Sequence, residues 1–256
     1  MKPAAALAAF ALLAACASAV APPSVIPPRG YLSSNDITSV AERIAAIDFP
    51  ALQTAQPVGP GTDRWWLAIA HAELRPPEAA QHFDCVLGTR LAARPRPALT
   101  RLMARLLADA GALTREAARK RGHVPRPVAR DHTLQPCQRI TPAVRDSTAW
   151  PAAAAVAGTL YGETFAALAP DRAAGARRIG REIGASREIC RMNSEADVTG
   201  GVIGGRDLFE QIARTPAFRT DLEAARVEVA AARAEGLGNP SCAAERRALA
   251  STPADR

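Results

Sequence analysis

The most informative stretch of the sequence begins at Ser186, ends at Asp197 and reads Ser-Arg-Glu-Ile-Cys-Arg-Met-Asn-Ser-Glu-Ala-Asp. Arg187 carries a planar guanidinium with five donors, the group best shaped to grip a carboxylate or a phosphate. Asn193 and Asp197 are four residues apart, so on a helix they share one face. The stretch fits the floor of an anion site, and it fits equally an ordinary helix start beside a surface arginine.

The composition favours a helical fold and limits the classes of ligand. With 256 residues, the chain is long enough for one domain with a full core or at most two small ones. Its residues are 48% hydrophobic but only 4% aromatic, a mixture that favours packed helices over sheets. The net charge of +7 comes almost wholly from arginine. Because no aromatic side chains interleave with the arginines, we expect an anionic small molecule and no nucleic acid as the partner.

The N-terminal residues predict export. An apolar run from Ala4 to Ala15 follows Lys2 and is too short for a membrane span, so residues 1–21 are expected to form a signal peptide. Two processing routes stay open. Leu13–Cys16 resembles a bacterial lipobox, and Ala17–Ala19 suits ordinary cleavage. We therefore expect a periplasmic protein. If the lipobox is used, a lipid on Cys16 is expected to be its one membrane attachment, held in the outer membrane.

Export changes the interpretation of the cysteines. The sequence has five, and one of them, Cys16, belongs to the targeting segment. In an oxidising compartment the other four predict two disulfides with three possible pairings. These four are Cys85, Cys137, Cys190 and Cys242. Their spacing matches no zinc pattern, and we expect neither a metal nor a cofactor.

Hydrophobic periodicity predicts one all-α domain over residues 33–238. Apolar residues recur at helical spacing from Ile37 onward, and no segment has the convincing pattern of a strand. Residues 22–32 are rich in proline and predict an extended tether. Residues 239–256 are expected to be a C-terminal tail.

Individual residues add local expectations. One amphipathic helix is expected to end at 109–111, and another is expected to begin near Leu113. Trp65 and Trp66 are expected to be packing anchors of a short helix. Asp171 is expected to cap the helix that leads into the stretch described first.

The segment 123–149 interrupts the helical pattern. It has little periodicity and four prolines, at positions 125, 127, 136 and 142. A long irregular loop inside a compact domain more often carries function than not. His123 and His132 lie in it, and we expect both to be exposed rather than catalytic.

Three pieces of the sequence occur in the order of a known three-part signature. The first runs from Arg119 to Pro127, the second begins at Trp150-Pro151, and the third is the stretch 186–197. Together they resemble the signature of the bacterial class A nonspecific acid phosphatases, which belong to the helical superfamily of lipid phosphate phosphatases and vanadium haloperoxidases. The resemblance implies a helical bundle of that type and a phosphate or phosphomonoester as the ligand.

In such enzymes a histidine attacks phosphorus, an aspartate orients it, and a second histidine protonates the leaving group. Basic side chains hold the phosphate oxygens. Carried over by position, the resemblance assigns phosphate binding to Arg126 and Arg187, and to a further cation at Arg119 or at Lys120, which is one residue out of register. Asp197 matches the orienting aspartate.

Both catalytic histidines of the signature are replaced in this chain. Asn193 stands at the position of the nucleophile, and Ala154 stands at the position of the acid. An amide nitrogen is conjugated to its carbonyl and has no basic lone pair, so Asn193 should not form a stable phospho-enzyme. The resemblance thus implies a phosphate-binding protein with impaired catalysis. Two alternatives stay open: an acid phosphatase with a modified mechanism, and a structural protein of the cell envelope.

Overall fold

The computed structural model describes residues 28–49 and 58–250, and within these ranges it has eleven α-helices and no strand. The predicted all-α fold is confirmed. The predicted signal peptide and lipobox lie outside the described residues. None of the described helices is both long and apolar enough to cross a bilayer. The helices are α1 Ser34–Ala45, α2 Asp63–Ala70, α3 Asp84–Leu87, α4 Pro97–Arg121, α5 Pro127–Arg130, α6 Pro142–Arg145, α7 Ala153–Leu168, α8 Ala173–Ile189, α9 Glu195–Ile212, α10 Pro216–Ala234 and α11 Cys242–Ala250.

The core is built around α7, which packs against α8, α9 and α4. Nearly every residue of α7 is buried, as expected for a helix that is apolar on all sides. Glycines let its backbone approach α8 closely, because a Cβ added at Gly180 would lie 2.4 Å from the carbonyl oxygen of Gly158. This contact places the start of α7 beside the end of α8, where two parts of the signature meet.

Helix α4 runs unbroken from Pro97 to Arg121, so the predicted break at 109–111 is wrong. The buried positions Leu106, Ala110 and Leu113 continue one apolar face through the glycine, and this packing outweighs the weak helix propensity of glycine. Asp109, which the sequence suggested as a stop signal, is instead a buried acceptor for a distant backbone segment.

That segment is the end of the predicted tether. The backbone N–H of Tyr31 donates to Asp109 at 2.7 Å, and its hydroxyl donates to Asp221 at 2.9 Å. The guanidinium of Arg105 lies 3.9 Å from the centroid of the Tyr31 ring. The residues around Tyr31 therefore belong to the folded body, and the described part of the tether is not free chain.

The four cysteines of the described residues form two disulfides, as predicted. The pairs are Cys85–Cys242 and Cys137–Cys190, with Cα atoms 5.3 Å and 4.7 Å apart. The first bond attaches α11, in the segment predicted as a C-terminal tail, to the short helix α3. Helix α11 also packs against α2, so these residues are part of the fold.

Two expectations for single residues are wrong. Trp65 is 6% exposed and packs in the interior, but Trp66 is 60% exposed and is no packing anchor. Asp171 does not cap α8. It lies in a short 3-10 turn, and its carboxylate forms an ion pair with Arg233 at 2.6 Å.

Candidate functional site

The stretch 186–197 forms a turn between two helices. Helix α8 ends at Ile189, and α9 begins at Glu195 with Ser194 as its N-cap. Ser194 and Asp197 make a capping box: the Ser194 hydroxyl accepts from the Asp197 backbone N–H, and the Asp197 carboxylate accepts from the Ser194 backbone N–H. Asn193 lies in the turn, so the prediction that Asn193 and Asp197 share one helical face is wrong. Ser-x-x-Asp was the signal in the sequence for a new helix start.

Arg126 is half-buried at the start of α5 and is held by uncharged oxygens from two directions. From the loop, its Nε donates to the carbonyl of Val144 at 3.2 Å and to the hydroxyl of Ser147 at 3.0 Å, and another nitrogen donates to the carbonyl of Thr148 at 2.9 Å. From the turn, the carbonyl of Met192 accepts at 2.9 Å. The guanidinium is thus fixed in place while its charge has no hydrogen-bonded carboxylate among the described residues.

Arg187 lies in the last turn of α8, 8% exposed, and donates to the side-chain oxygen of Gln138 at 2.7 Å. Burial, and next the positive charge of Arg126, lower the pKa of Arg187 to about 10. The same effect of burial lowers the pKa of Arg126, and the negative charge of Asp197 opposes it. The positive charge of Arg126 therefore acts on Arg187 in a poorly solvated place, an arrangement that an anion near both guanidiniums would stabilise.

The segment 123–149 contains Arg126 and lies against Arg187. Its carbonyls hold the Arg126 guanidinium, and its Gln138 side chain contacts Arg187. The disulfide between Cys137 and Cys190 joins the loop to the residue that follows α8. The loop that the sequence singled out for its irregularity thus supplies one side of the candidate site.

The residues at the two predicted catalytic positions carry no acid or base. Asn193 is 5% exposed, and its amide nitrogen donates to the carbonyl of Ala149 at 2.6 Å. Ala154 is 6% exposed in the first turn of α7. The backbone N–H of Ala152 donates to the carbonyl of Asp197 at 2.9 Å, which joins the start of α7 to the start of α9. The Asp197 carboxylate is engaged in its capping box.

The other two predicted phosphate ligands have partners elsewhere. Arg119 pairs with Glu116 on the exposed face of α4, and Lys120 pairs with Glu42 at 2.6 Å. Their neighbour Arg121 contacts the second piece of the signature, with its guanidinium 4.6 Å from the centroid of the Trp150 ring. No sequence pattern singles out Arg121, because only the direction of the last turn of α4 distinguishes it.

A buried polar network lies directly behind Arg187. The Ser186 hydroxyl donates to the backbone carbonyl of Glu182 at 2.8 Å, accepts from Arg64 at 2.9 Å, and lies 2.8 Å from Nδ1 of His71. Arg64 also forms an ion pair with the Glu182 carboxylate at 3.1 Å. Burial lowers the pKa of His71 well below its ordinary value, so this ring is neutral. The network fixes the end of α8, and sequence reasoning missed it because Arg64 and Glu182 are far apart in the chain.

The loop histidines do not supply the missing chemistry. His123 and His132 are exposed, as predicted. His132 contacts Arg145, and among the described residues no hydrogen bond joins either ring to Asn193 or Arg187. No group of three or more His, Cys, Asp or Glu side chains suited to a metal ion occurs in ranges 28–49 and 58–250.

Comparisons with known proteins identify relatives of this chain. No family model matches it. Over 171 residues the chain is 29% identical to a nonspecific acid phosphatase of Salmonella typhimurium, a match that covers 66% of this chain and 68% of the relative. A nonspecific acid phosphatase of Salmonella typhi is 28% identical over 171 residues with the same coverage. These similarities support the resemblance to the bacterial class A nonspecific acid phosphatases that the three-part signature indicated.

Proposed function

We propose that this protein binds phosphate or a phosphomonoester at Arg126 and Arg187, and that its catalysis is impaired. Similarity to nonspecific acid phosphatases supports a phosphomonoester as the class of ligand. The observation that carries the proposal is the pair of desolvated guanidiniums, whose hydrogen bonds to described residues all go to uncharged oxygens. The sequence of residues 1–21, outside the described ranges, supports export to the periplasm, with or without a lipid on Cys16.

Electrostatics favours an anion at this place. Each arginine presents planar donors that match two phosphate oxygens, and both side chains are already oriented by fixed partners. Opposite unit charges 4 Å apart attract by about 4 kcal/mol at the effective dielectric constant typical of protein sites. A phosphate dianion can satisfy both guanidiniums at once and so remove the repulsion between them.

Impaired catalysis is supported by Asn193 and Ala154. The Asn193 nitrogen is a donor to Ala149 and cannot attack phosphorus, while the Ala154 methyl has no proton to give. Loss of a nucleophile from a concerted site lowers the rate by roughly 10⁴ to 10⁶, and further losses add little. Any hydrolysis by water that the retained positive charge assists would be too slow to exceed the rate in buffer alone.

A binding experiment tests the anion site. Thermal unfolding of the purified mature protein is measured with and without millimolar phosphate or vanadate, because a ligand selective for the folded state raises stability. We expect stabilisation of the wild type, none of Arg187→Ala, and undiminished stabilisation of Arg219→Ala, which removes an equal charge from an exposed site on α10. Absence of any anion effect on the wild type would leave only a structural role.

An activity experiment tests impairment. A chromogenic phosphomonoester is assayed at acid pH with the wild type and with Asn193→His/Ala154→His, after circular dichroism has shown that both are folded. We expect no turnover by the wild type above the buffer rate. Wild-type turnover that survives stringent purification and disappears in Arg187→Ala would overturn the impairment and favour a modified mechanism.

A further inference from the structure

We propose that Gln138 is a built-in occupant of the anion site, whose side-chain oxygen competes with phosphate for a donor of Arg187. This inference rests on the proposed function, since it concerns the regulation of the same site. Its carrying observation is the 2.7 Å hydrogen bond from Arg187 to the Gln138 side-chain oxygen. Among the described residues, this is the one hydrogen bond that the Arg187 guanidinium donates.

An amide oxygen resembles a phosphate oxygen in position but not in charge. It accepts from the planar donors of arginine as a phosphate oxygen does, yet it is neutral and leaves the repulsion between Arg187 and Arg126 uncompensated. A phosphate dianion interacts with both guanidiniums and is the better partner for each. Gln138 is therefore a weak occupant that an anion can displace.

The covalent structure keeps this occupant at the site. Gln138 directly follows Cys137, which is bonded to Cys190, three residues after Arg187. The amide therefore cannot diffuse away and competes at a high local concentration. Within the loop, Arg126 donates hydrogen bonds to the carbonyls of Val144 and Thr148, which hold the loop backbone in place. Only the Gln138 side chain therefore needs to move. Gln138 is partly exposed, and its displaced amide can bond to water.

The consequence is a site whose affinity is set by the loop. A hydrogen bond to a charged group is worth roughly a factor of ten to one hundred in an equilibrium constant, and water returns part of that to the displaced amide. Removal of the occupant should therefore tighten phosphate binding by about three- to thirty-fold. A carboxylate in its place should weaken binding, because it would pair with Arg187 and repel the anion.

Calorimetric titration of the mature, disulfide-bonded protein with inorganic phosphate tests this inference. The variants are Gln138→Ala, Gln138→Glu and the control Gln135→Ala, which truncates an exposed glutamine of the same loop. We expect tighter binding for Gln138→Ala, weaker binding for Gln138→Glu and unchanged binding for Gln135→Ala. Thermal unfolding confirms that each variant is folded.

The outcomes separate this inference from the proposed function. Wild-type binding that is unchanged or weakened in Gln138→Ala overturns the inference and leaves the anion site standing, with Gln138 idle or supporting Arg187. Binding by Gln138→Ala where the wild type shows none supports the inference. Absence of phosphate binding in every variant, Gln138→Ala included, overturns both.

Discussion

Two buried arginines offer a direct test of which side chains the fold needs and which it merely tolerates. Arg64 and Arg187 are 2% and 8% exposed, and both lie against the end of α8. Arg64 pairs with the Glu182 carboxylate, whereas the one hydrogen bond from the Arg187 guanidinium to a described residue goes to the amide oxygen of Gln138. We predict that replacement by methionine, which keeps the apolar stem, has opposite consequences at the two positions.

At Arg187, burial and the nearby charge of Arg126 disfavour the positive charge of the guanidinium. The lowering of its pKa to about 10 corresponds to about 3 kcal/mol that disfavours the charged form in the folded protein. The bond to Gln138 returns roughly 1.5 to 3 kcal/mol, and the variant loses it. Arg187→Met should therefore leave the free energy of unfolding unchanged or raise it by up to about 2 kcal/mol. Sites kept for ligand binding are often destabilising in this way.

For Arg64 the same change breaks a buried ion pair. The Glu182 carboxylate would be left without its cation in the interior, a loss of about 3 to 5 kcal/mol. Since a domain is stable by only about 5 to 15 kcal/mol, Arg64→Met should be close to unfolding.

Urea unfolding followed by circular dichroism, in phosphate-free buffer with both disulfides intact, measures the two free energies. We expect Arg187→Met to exceed Arg64→Met by at least about 3 kcal/mol. If Arg187→Met lost more than about 2 kcal/mol, Arg187 would be holding the fold together, and its assignment to an anion site would lose its main support.

Three further predictions concern local features. Burial, and next the charge of Asp84, raise the pKa of Glu245 to about 7, so its contribution to stability is present at low pH and lost as pH rises toward 7. After allowance for screening by water, Glu245→Gln should be about 1 to 2 kcal/mol more stable than the wild type at pH 8. Thermal unfolding at pH 4 should show no such advantage. Gly180→Ala should lower the free energy of unfolding, measured in urea, by about 1 to 3 kcal/mol, because its Cβ would strike a backbone oxygen. Gly111→Ala in α4 should raise it by about 0.5 to 1 kcal/mol, because its nearest neighbour is a flexible side chain 3.2 Å away. Equal effects of the two would refute the packing explanation. Arg191 has a left-handed φ of 59°, which glycine adopts more readily than arginine. Arg191→Gly should therefore leave the free energy of unfolding in urea unchanged or raise it by up to about 1 kcal/mol. A clear loss of stability would mean that the Arg191 side chain contributes more than its backbone conformation costs.

The sequence predicted the fold class because local signals and burial agree over most helices. It erred where a distant partner decides the local structure. Helix α4 continues through Gly111 because its buried face continues, and Asp109 is an acceptor for Tyr31 and not a helix stop. Neither partner is adjacent in the sequence, so periodicity and capping rules alone favoured a break.

The candidate site was predictable in composition but not in arrangement. The spacing of the signature selects Arg126 and Arg187 as phosphate ligands, and this assignment stays a prediction. In the structure the positive charge of Arg126 lowers the pKa of Arg187. The spacing does not select Gln138, because that contact depends on how the loop folds back along the end of α8. The assignment of Arg119 and Lys120 as phosphate ligands remains a prediction. In the structure each side chain forms an ion pair with a glutamate.

The disulfide between Cys85 and Cys242 has a consequence for the integrity of the molecule. It closes a covalent ring whose ends are 157 residues apart in the chain, and every residue assigned to the site lies inside that ring. A protease that cuts the exposed loop once, for example after Arg139, therefore produces two polypeptides that stay joined as one particle of unchanged mass apart from one added water. Such a nick would release the loop locally without releasing either arginine from the molecule. Where the disulfides stay oxidised, one cleavage would therefore modify the site without dismantling it.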